Sequence, residues 1–381
     1  MSDQDFPFLE PDHLQLSDDV KSLNESSIRV AMSRDDEDEA ALELVKVLAR
    51  GGLLNYAAPD ESKGGKLDVR SVCVIREQLS YESSLADLMF AMQGLGSYPI
   101  SIAGSRDLKS AFLPRVREGR AIAAFAITEP DAGSDVASMQ TTARADGDHF
   151  VLDGTKTFIS NAGLADFYTV FAKTKPELGA KGISAFVVEK QSPGFSVEER
   201  IQLIAPHPIG RIRFNSCRVP SSNLLGREDE GLKVALTTLD TFRPSVGAAA
   251  CGMAKRALDE AIKYSKRRVQ FGKPISEHQA IQLKIAEMAT KLEAARLLVY
   301  RAAHKKDRGA SRITTEAAMA KLFATEVAQS IIDEAVQIHG GAGLVRGATV
   351  EHLYRDIRAL RIYEGTSEIQ KLIIAGKLLS E

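Results

Sequence analysis

The feature that most limits the fold lies after Gly231. Three stretches, Leu232–Lys266, His278–Lys305 and Thr315–His339, space their apolar residues by three and four with few breakers. A helix of that length with one apolar face cannot bury it alone, so the pattern predicts long antiparallel helices forming a bundle. The first 120 residues carry shorter helical-period segments, among them Glu39–Ala49 and Val69–Leu79, broken by Gly51-Gly52 and Gly64-Gly65. Between 121 and 228 the texture changes to short β-rich runs, Phe150–Leu152, Phe167–Ala172, Ile183–Val188 and Ile212–Phe214, separated by turn residues. An α+β chain follows, with a helical domain over 1–120, a β domain over 121–228 and a helical bundle over 229–381.

With 381 residues the chain exceeds what one hydrophobic core usually organises, and two or three packed regions are expected. Lys and Arg number 49 against 51 Asp and Glu, so there is no bulk attraction to polyanions and no nucleic-acid partner is expected. Cys73, Cys217 and Cys251 are too few and too scattered for a disulfide framework or a metal cluster. They read as buried small hydrophobes in a reducing compartment, and no metal is expected. The segment Met1–Asp5 is acidic and lacks a basic n-region and an apolar h-region, and no stretch of eighteen apolar residues occurs. The protein is therefore expected in the cytoplasm, away from membranes.

Several segments have chemical logic. In Ile362-Tyr363-Glu364-Gly365-Thr366-Ser367-Glu368-Ile369-Gln370 a carboxylate stands beside Gly-Thr after a buried-looking helix. Glu364 reads as a general base, although a solvated glutamate before a last helix capped by Thr366 has the same local sequence. The run Phe125–Asp135 offers backbone N–H groups and hydroxyls that can wrap a flat polar cofactor, and is also ordinary turn chemistry. Thr157–Asn161 as a strand would put Phe158 and Ser160 on one face. Arg267–Pro274 with Glu277–Gln279 gathers guanidinium, amide and aromatic groups at an inter-helix bend able to grip a diphosphate. A cation there also favours a helix C-terminus by about 0.3–1 kcal/mol without any ligand. Gln337–Gly343 has too many glycines for a helix interior, which suits either a close ligand approach or a helix stop at Gly340. His339 reads as packed or capping. Asp87 is a single acid in the apolar helical stretch Ser83–Met92; left unpaired there it would be costly, which suggests a use, the alternative being a solvent-facing or lysine-paired acid.

Together these segments resemble the acyl-CoA dehydrogenase flavoproteins, from about residue 85 to the C-terminus and with the motifs in that family's order. The resemblance implies a helical N-terminal domain, a β-barrel-like middle domain and a C-terminal four-helix bundle. It implies FAD held along Phe125, Ile127, Thr128 and Gly133, with Ser134 facing either the flavin or the pantetheine–phosphate arm of the substrate. Phe158, Ile159 and Ser160 would cover one side of the ring. Arg268, Phe271 and Gln279 would contact FAD, often across a subunit boundary; Gln337, Gly340 and Gly341 would meet its pyrophosphate or adenosine; and Thr366 and Glu368 would reach its phosphate-to-adenosine portion.

The reaction implied is α,β-dehydrogenation of an acyl-CoA thioester to the enoyl-CoA. Glu364 takes the α-proton, the β-hydrogen passes as hydride to flavin N5, and electrons leave through an electron-transfer flavoprotein. Gly365 would admit the substrate and Arg243 would stand on its side of the base. Some family members carry the base at the position of Phe242, which cannot abstract a proton. A homotetramer, or a dimer of similar packing, is expected. Asp87 lies where the family lines its acyl cavity and would contact a polar acyl group or serve as a second acid/base for cyclic or conjugated substrates. Ile204-Ala205-Pro206-His207-Pro208-Ile209-Gly210 departs from the family's usual glycine and Ser/Thr segment, and His207 is expected to be exposed and without chemistry. A flavin-bound interaction protein of this fold, or an enzyme acting on carrier-protein thioesters or with oxygen, are the competing expectations. Acyl length, branching and ring character are not legible, since one methylene is worth only about 1–3 kcal/mol.

Overall fold

The computed structural model of the protein describes residues 6–60 and 65–380. The chain packs as two compact units: Met1–Arg29, Asp68–Asp87 and Asp240–Glu381 form one, Val30–Leu67 and Leu88–Leu239 the other. This is a different division from the segments 1–120, 121–228 and 229–381, which follow changes in local periodicity. Among the described residues no helix is long and apolar enough to cross a membrane.

The first unit is helical. The three long stretches read from the sequence become helices Gly231–Arg267, of which the part from Asp240 belongs here, Gln279–Asp307 and Thr314–His339. They are joined by Pro11–Leu23, Val69–Glu82, Thr349–Leu360 and Ser367–Leu379. Small residues set how closely the helices approach. A Cβ on Gly252 would lie 2.0 Å from the Glu77 carbonyl oxygen, and one on Gly247 2.7 Å from the Val299 side chain. Helix Val69–Glu82 starts on Asp68, whose side chain accepts from Arg70 N, while Asp307 at the end of another helix accepts from Val69 N (2.8 Å) and Arg70 N (3.1 Å). Orphan N–H groups of one helix are thus satisfied by the terminal carboxylate of its neighbour.

The second unit packs helices Glu37–Arg50 and Arg106–Arg117, and most of Ser84–Ala103, with an eight-stranded sheet. Its strands are β1 (Ala123–Ala126), β2 (Thr142–Asp146), β3 (His149–Ser160), β4 (Phe167–Lys173), β5 (Ile183–Glu189), β6 (Phe195–Arg200), β7 (Ile209–Pro220) and β8 (Leu224–Leu225). They run in the order β6-β7-β3-β2-β4-β5-β8, with β1 parallel to β4. Leu108, Phe112 and Val116 pack with Phe167, Phe171 and Val187 in one buried cluster. The buried Gln93 side chain donates to Ala121 O and accepts from Ala123 N, both at 2.8 Å, and so anchors the start of β1. Strand β3 is not the regular strand that would put Phe158 and Ser160 on one face. Its register against β7 slips between Lys156 and Ile159, and Phe158 takes a φ of 54° inside that slip. Cys73, Cys217 and Cys251 are free and buried, as their scatter implied.

Candidate active site

Glu364 occupies the turn between helices Thr349–Leu360 and Ser367–Leu379, and the turn is tight because two consecutive residues are left-handed, Glu364 (φ 54°) and Gly365 (φ 93°). For a glutamate that conformation costs on the order of 1–3 kcal/mol and persists only where surroundings enforce it. Here they do. Arg243 Nε donates to the Glu364 carbonyl oxygen at 3.2 Å, Gln370 Nε2 reaches the Glu364 and Gly365 carbonyl oxygens at 3.2 and 3.0 Å, and Lys321 Nζ donates to the latter at 2.8 Å. Thr366 caps the last helix, accepting from Ile369 N. At the Gly365 φ of 93° any side chain would be strained, and a Cβ there would also fall 2.6 Å from Gln370 Nε2, so the position favours glycine.

The side chain of Glu364 is held differently from its backbone. The residue is half-buried, yet Oε2 is inaccessible to solvent and has no hydrogen-bond partner among the described residues. Burial raises its pKa above the ordinary 4.5, while Arg76, Arg243 and Lys321 pull the other way. Lys321 is itself lowered to about 8 by burial, against the pull of Glu364. A buried carboxylate oxygen left without a donor is costly and calls for an explanation.

Asp87 is neither solvent-facing nor lysine-paired: its partner is an arginine. Asp87 is only 2 % exposed and is gripped at both oxygens by Arg76, Nε to Oδ1 at 2.7 Å and Nη2 to Oδ2 at 2.8 Å. Arg76 also donates to Ser245 Oγ at 3.0 Å. Arg243 pairs with Asp240 (2.8 Å) as well as donating to the Glu364 carbonyl oxygen. Arg76, Lys321 and Gln370 were not singled out by sequence. Lys321 could have been, since a lone cation in Ala317-Ala318-Met319-Ala320-Lys321-Leu322-Phe323-Ala324 raises the same question as Asp87.

Elsewhere in this unit the predicted ligand residues are open. Arg268, Phe271 and Gln279 are exposed: Phe271, at 93 %, forms with Gly272 the tip of the hairpin Val269–Pro274 (φ 52° and 82°), which Arg268 precedes, and Gln279 opens the next helix. Gln337, Gly340 and Gly341 are exposed at the end of helix Thr314–His339, and a Cβ on either glycine would meet nothing within 4 Å. His339 is packed, its ring stacked on Tyr264 at 4.3 Å and its Nδ1 2.7 Å from Ala335 O. That stack ties the helix end before Arg268 to the one before Gly340. Thr366 is half-buried and Glu368 exposed.

In the sheet unit, Phe125 is half-buried against Phe171 and Ile127 belongs to the core. Thr128 is half-buried and its carbonyl oxygen accepts from Thr157 N at 2.9 Å. Gly133 and Ser134 are exposed, Phe158 is 56 % exposed, Ile159 is buried and Ser160 half-buried. Sequence reading missed what stiffens this loop. Glu129 accepts from Thr141 N (2.9 Å) and from the fully buried Lys156 Nζ (2.8 Å), which also reaches Ile127 O at 3.2 Å. Burial acts to raise the Glu129 pKa but Lys156 and the backbone donors outweigh it, whereas burial carries Lys156 down to about 8 despite its partner. Gln140 N donates to the other oxygen of Glu129, and contacts on both oxygens favour the ion pair. Lys156→Met is expected to strand that carboxylate and cost about 3–5 kcal/mol in chemical denaturation; an unchanged midpoint would show the pair to be dispensable.

His207 is also corrected. It is half-buried, not exposed, its Nε2 lies 2.7 Å from Ser160 Oγ, and burial lowers its pKa to about 4.

Three domain models of acyl-CoA dehydrogenases match the chain: the N-terminal domain over residues 10–120, the middle domain over 124–217 and the C-terminal domain over 229–379. A probable acyl-CoA dehydrogenase of Mycobacterium tuberculosis is 40% identical over 374 residues, 97% of this chain and 96% of that one. A 3-(aryl)acrylate reductase of Clostridium sporogenes is 42% identical over 354 residues, 92% of this chain and 93% of that one. The solved structure of a glutaryl-CoA dehydrogenase from Mycobacterium smegmatis in complex with FADH2 aligns with a TM-score of 0.91 at 29% identity, covering 99% of this chain and 97% of that one. The chain belongs to the acyl-CoA dehydrogenase family, flavoprotein oxidoreductases that act on CH–CH bonds.

Proposed function

We propose that this protein dehydrogenates an acyl-CoA thioester across its α,β bond, with Glu364 as the base, FAD as cofactor and an electron-transfer flavoprotein as the partner that takes the electrons. The observation that carries the reading is the inaccessible, unpartnered Oε2 of Glu364 with its raised pKa. A carboxylate in water is too weak a base for an α-proton; burial without a donor strengthens it toward the task. The caged carbonyls of Glu364 and Gly365 fix the backbone from which that side chain projects. Arg243 and Gly365 would lie on the substrate side, and Ser134 would meet either substrate or cofactor.

Each unit carries residues suited to part of a flavin dinucleotide. Phe158 and Phe271 expose aromatic surface, and the backbone at Gly133, Gly340 and Gly341 has open space where a Cβ would stand. Phe125, Ile127, Thr128, Gly133, Phe158, Ile159 and Ser160 would hold the ring. Arg268, Phe271, Gln279, Gln337, Gly340, Gly341, Thr366 and Glu368 would hold the rest. When bound, FAD supplies a two-electron acceptor for the β-hydride. An assembly of four copies, or two, would cover Phe271 and its exposed neighbour Val269. The family's three domains would fall at 1–120, 121–228 and 229–381, and the enzyme would work in the cytoplasm.

The test is an anaerobic screen of linear, branched, aromatic and cyclic acyl-CoA thioesters, watching the flavin's visible absorption. At least one is expected to bleach it. The base must be ionised, so reduction should slow as pH falls through the raised Glu364 pKa, above the ordinary 4.5. Failure of every thioester to bleach the protein would end the reading. The 42% identity to a 3-(aryl)acrylate reductase favours a second reading, the same site run toward saturation. Reoxidation of reduced flavin by an enoyl thioester, without bleaching by its saturated counterpart, would select it.

A further inference from the structure

The segment that departs from the family pattern leads into strand β7, which begins at Ile209. Pro206 and Pro208 flank His207 and fix its backbone, Pro208 O accepts from Asn161 N at 2.7 Å, and the following Ile209 pairs with Ser160 in the β3–β7 register. The His207 backbone N–H donates to the Glu37 carboxylate. The ring is therefore delivered to Ser160 by a rigid segment held on both sides, and its Nε2 sits 2.7 Å from Ser160 Oγ.

We propose that His207 is a positioning residue that acts through Ser160, deciding whether that hydroxyl presents a hydrogen-bond donor or an acceptor to the flavin. The inference rests on the FAD reading above and is independent of the Glu364 assignment. A neutral imidazole has one donor and one acceptor nitrogen. With a proton on Nε2, His207 donates to Ser160, whose own O–H is left free for the cofactor. With Nε2 bare, Ser160 spends its proton on the ring and offers only lone pairs. Ser160 alone would rotate between these roles; bonded to the half-buried ring it is held in one of them.

The test uses FAD-loaded protein without any acyl-CoA, reading the oxidised–reduced equilibrium of the flavin against a reference dye. Ser160→Ala and His207→Ala are each expected to shift that equilibrium about tenfold, about 30 mV for a two-electron couple. The double variant should move no further than Ser160→Ala alone, because the histidine acts only through the hydroxyl. His207→Gln, which keeps an N–H donor, should recover most of the shift. If His207→Ala does not load FAD, His207→Phe, which keeps a ring but no N–H, measured with and without the Ser160→Ala change decides instead. An unchanged potential in His207→Ala or His207→Phe, or an effect of either that persists undiminished without the serine hydroxyl, overturns the proposal. Protein that takes up no flavin at all would instead sink the FAD reading on which it stands.

Discussion

A Glu364→Gln variant is expected to bind FAD and to keep its colour when mixed anaerobically with acyl-CoA, reduction being slowed by at least the 10²–10⁴-fold that a positioned base contributes. The amide fills the same space and leaves the carbonyl cage from Arg243, Lys321 and Gln370 intact, so loss of reduction would report the missing base rather than a collapsed turn. Stability should move the other way. The folded protein holds the Glu364 proton more tightly than the unfolded chain does, because the folded pKa is raised above 4.5. Below the unfolded value both states are protonated and the residue is neutral toward folding; as pH rises through that value the unfolded chain ionises first, and stability falls until the folded group has also ionised. Removing the charge removes that penalty, so the variant should melt no lower than the parent at neutral pH. Stopped-flow reduction and thermal melting read the two effects separately. Reduction at the parental rate would relocate the base, and Phe242 at the family's other position offers no substitute.

The sequence carried the periodic parts of the molecule well. Leu232–Lys266 and Thr315–His339 differ by only a residue or so at each end from helices Gly231–Arg267 and Thr314–His339, because apolar spacing over many turns averages out local noise. Glu364 was legible from the company of Gly365 and Thr366. Its left-handed backbone was not, and neither were the donors that enforce it, since Arg243, Lys321 and Gln370 come from three different helices. Asp87 was rightly marked as an acid in an apolar helix, but its partner Arg76 stands on the preceding helix, and no period links the two. His207 misled for a related reason: two flanking prolines read as an exposed loop, whereas the pairing of β3 with β7 sets the residue onto Ser160. What escaped was wherever pairing between distant segments, not local pattern, fixes the surroundings of a polar group.

The second large effect is expected at Arg76. Replacing it with Met leaves Asp87, 2 % exposed, without its cation and with both oxygens stripped of their guanidinium donors. Breaking such a pair from one side costs about 3–5 kcal/mol, whereas exchanging both partners for apolar groups is often neutral. Arg76→Met should therefore lower the denaturation midpoint sharply, and Arg76→Met with Asp87→Leu should recover most of it. The acid–base behaviour of the site should not recover with it. Arg76 is the foremost of the three cations that hold down the pKa of Glu364, ahead of Arg243 and Lys321, while Asp87 pushes it up more weakly. Loss of Arg76 alone should carry the acid limb of the flavin-reduction profile to higher pH, and loss of both should leave a smaller shift in the same direction. If the pair were only a structural clasp, the double variant would regain the parental stability and the parental pH profile together. If the pair is also the counter-charge behind the base, restored stability with a displaced pH profile is the outcome that separates the two roles.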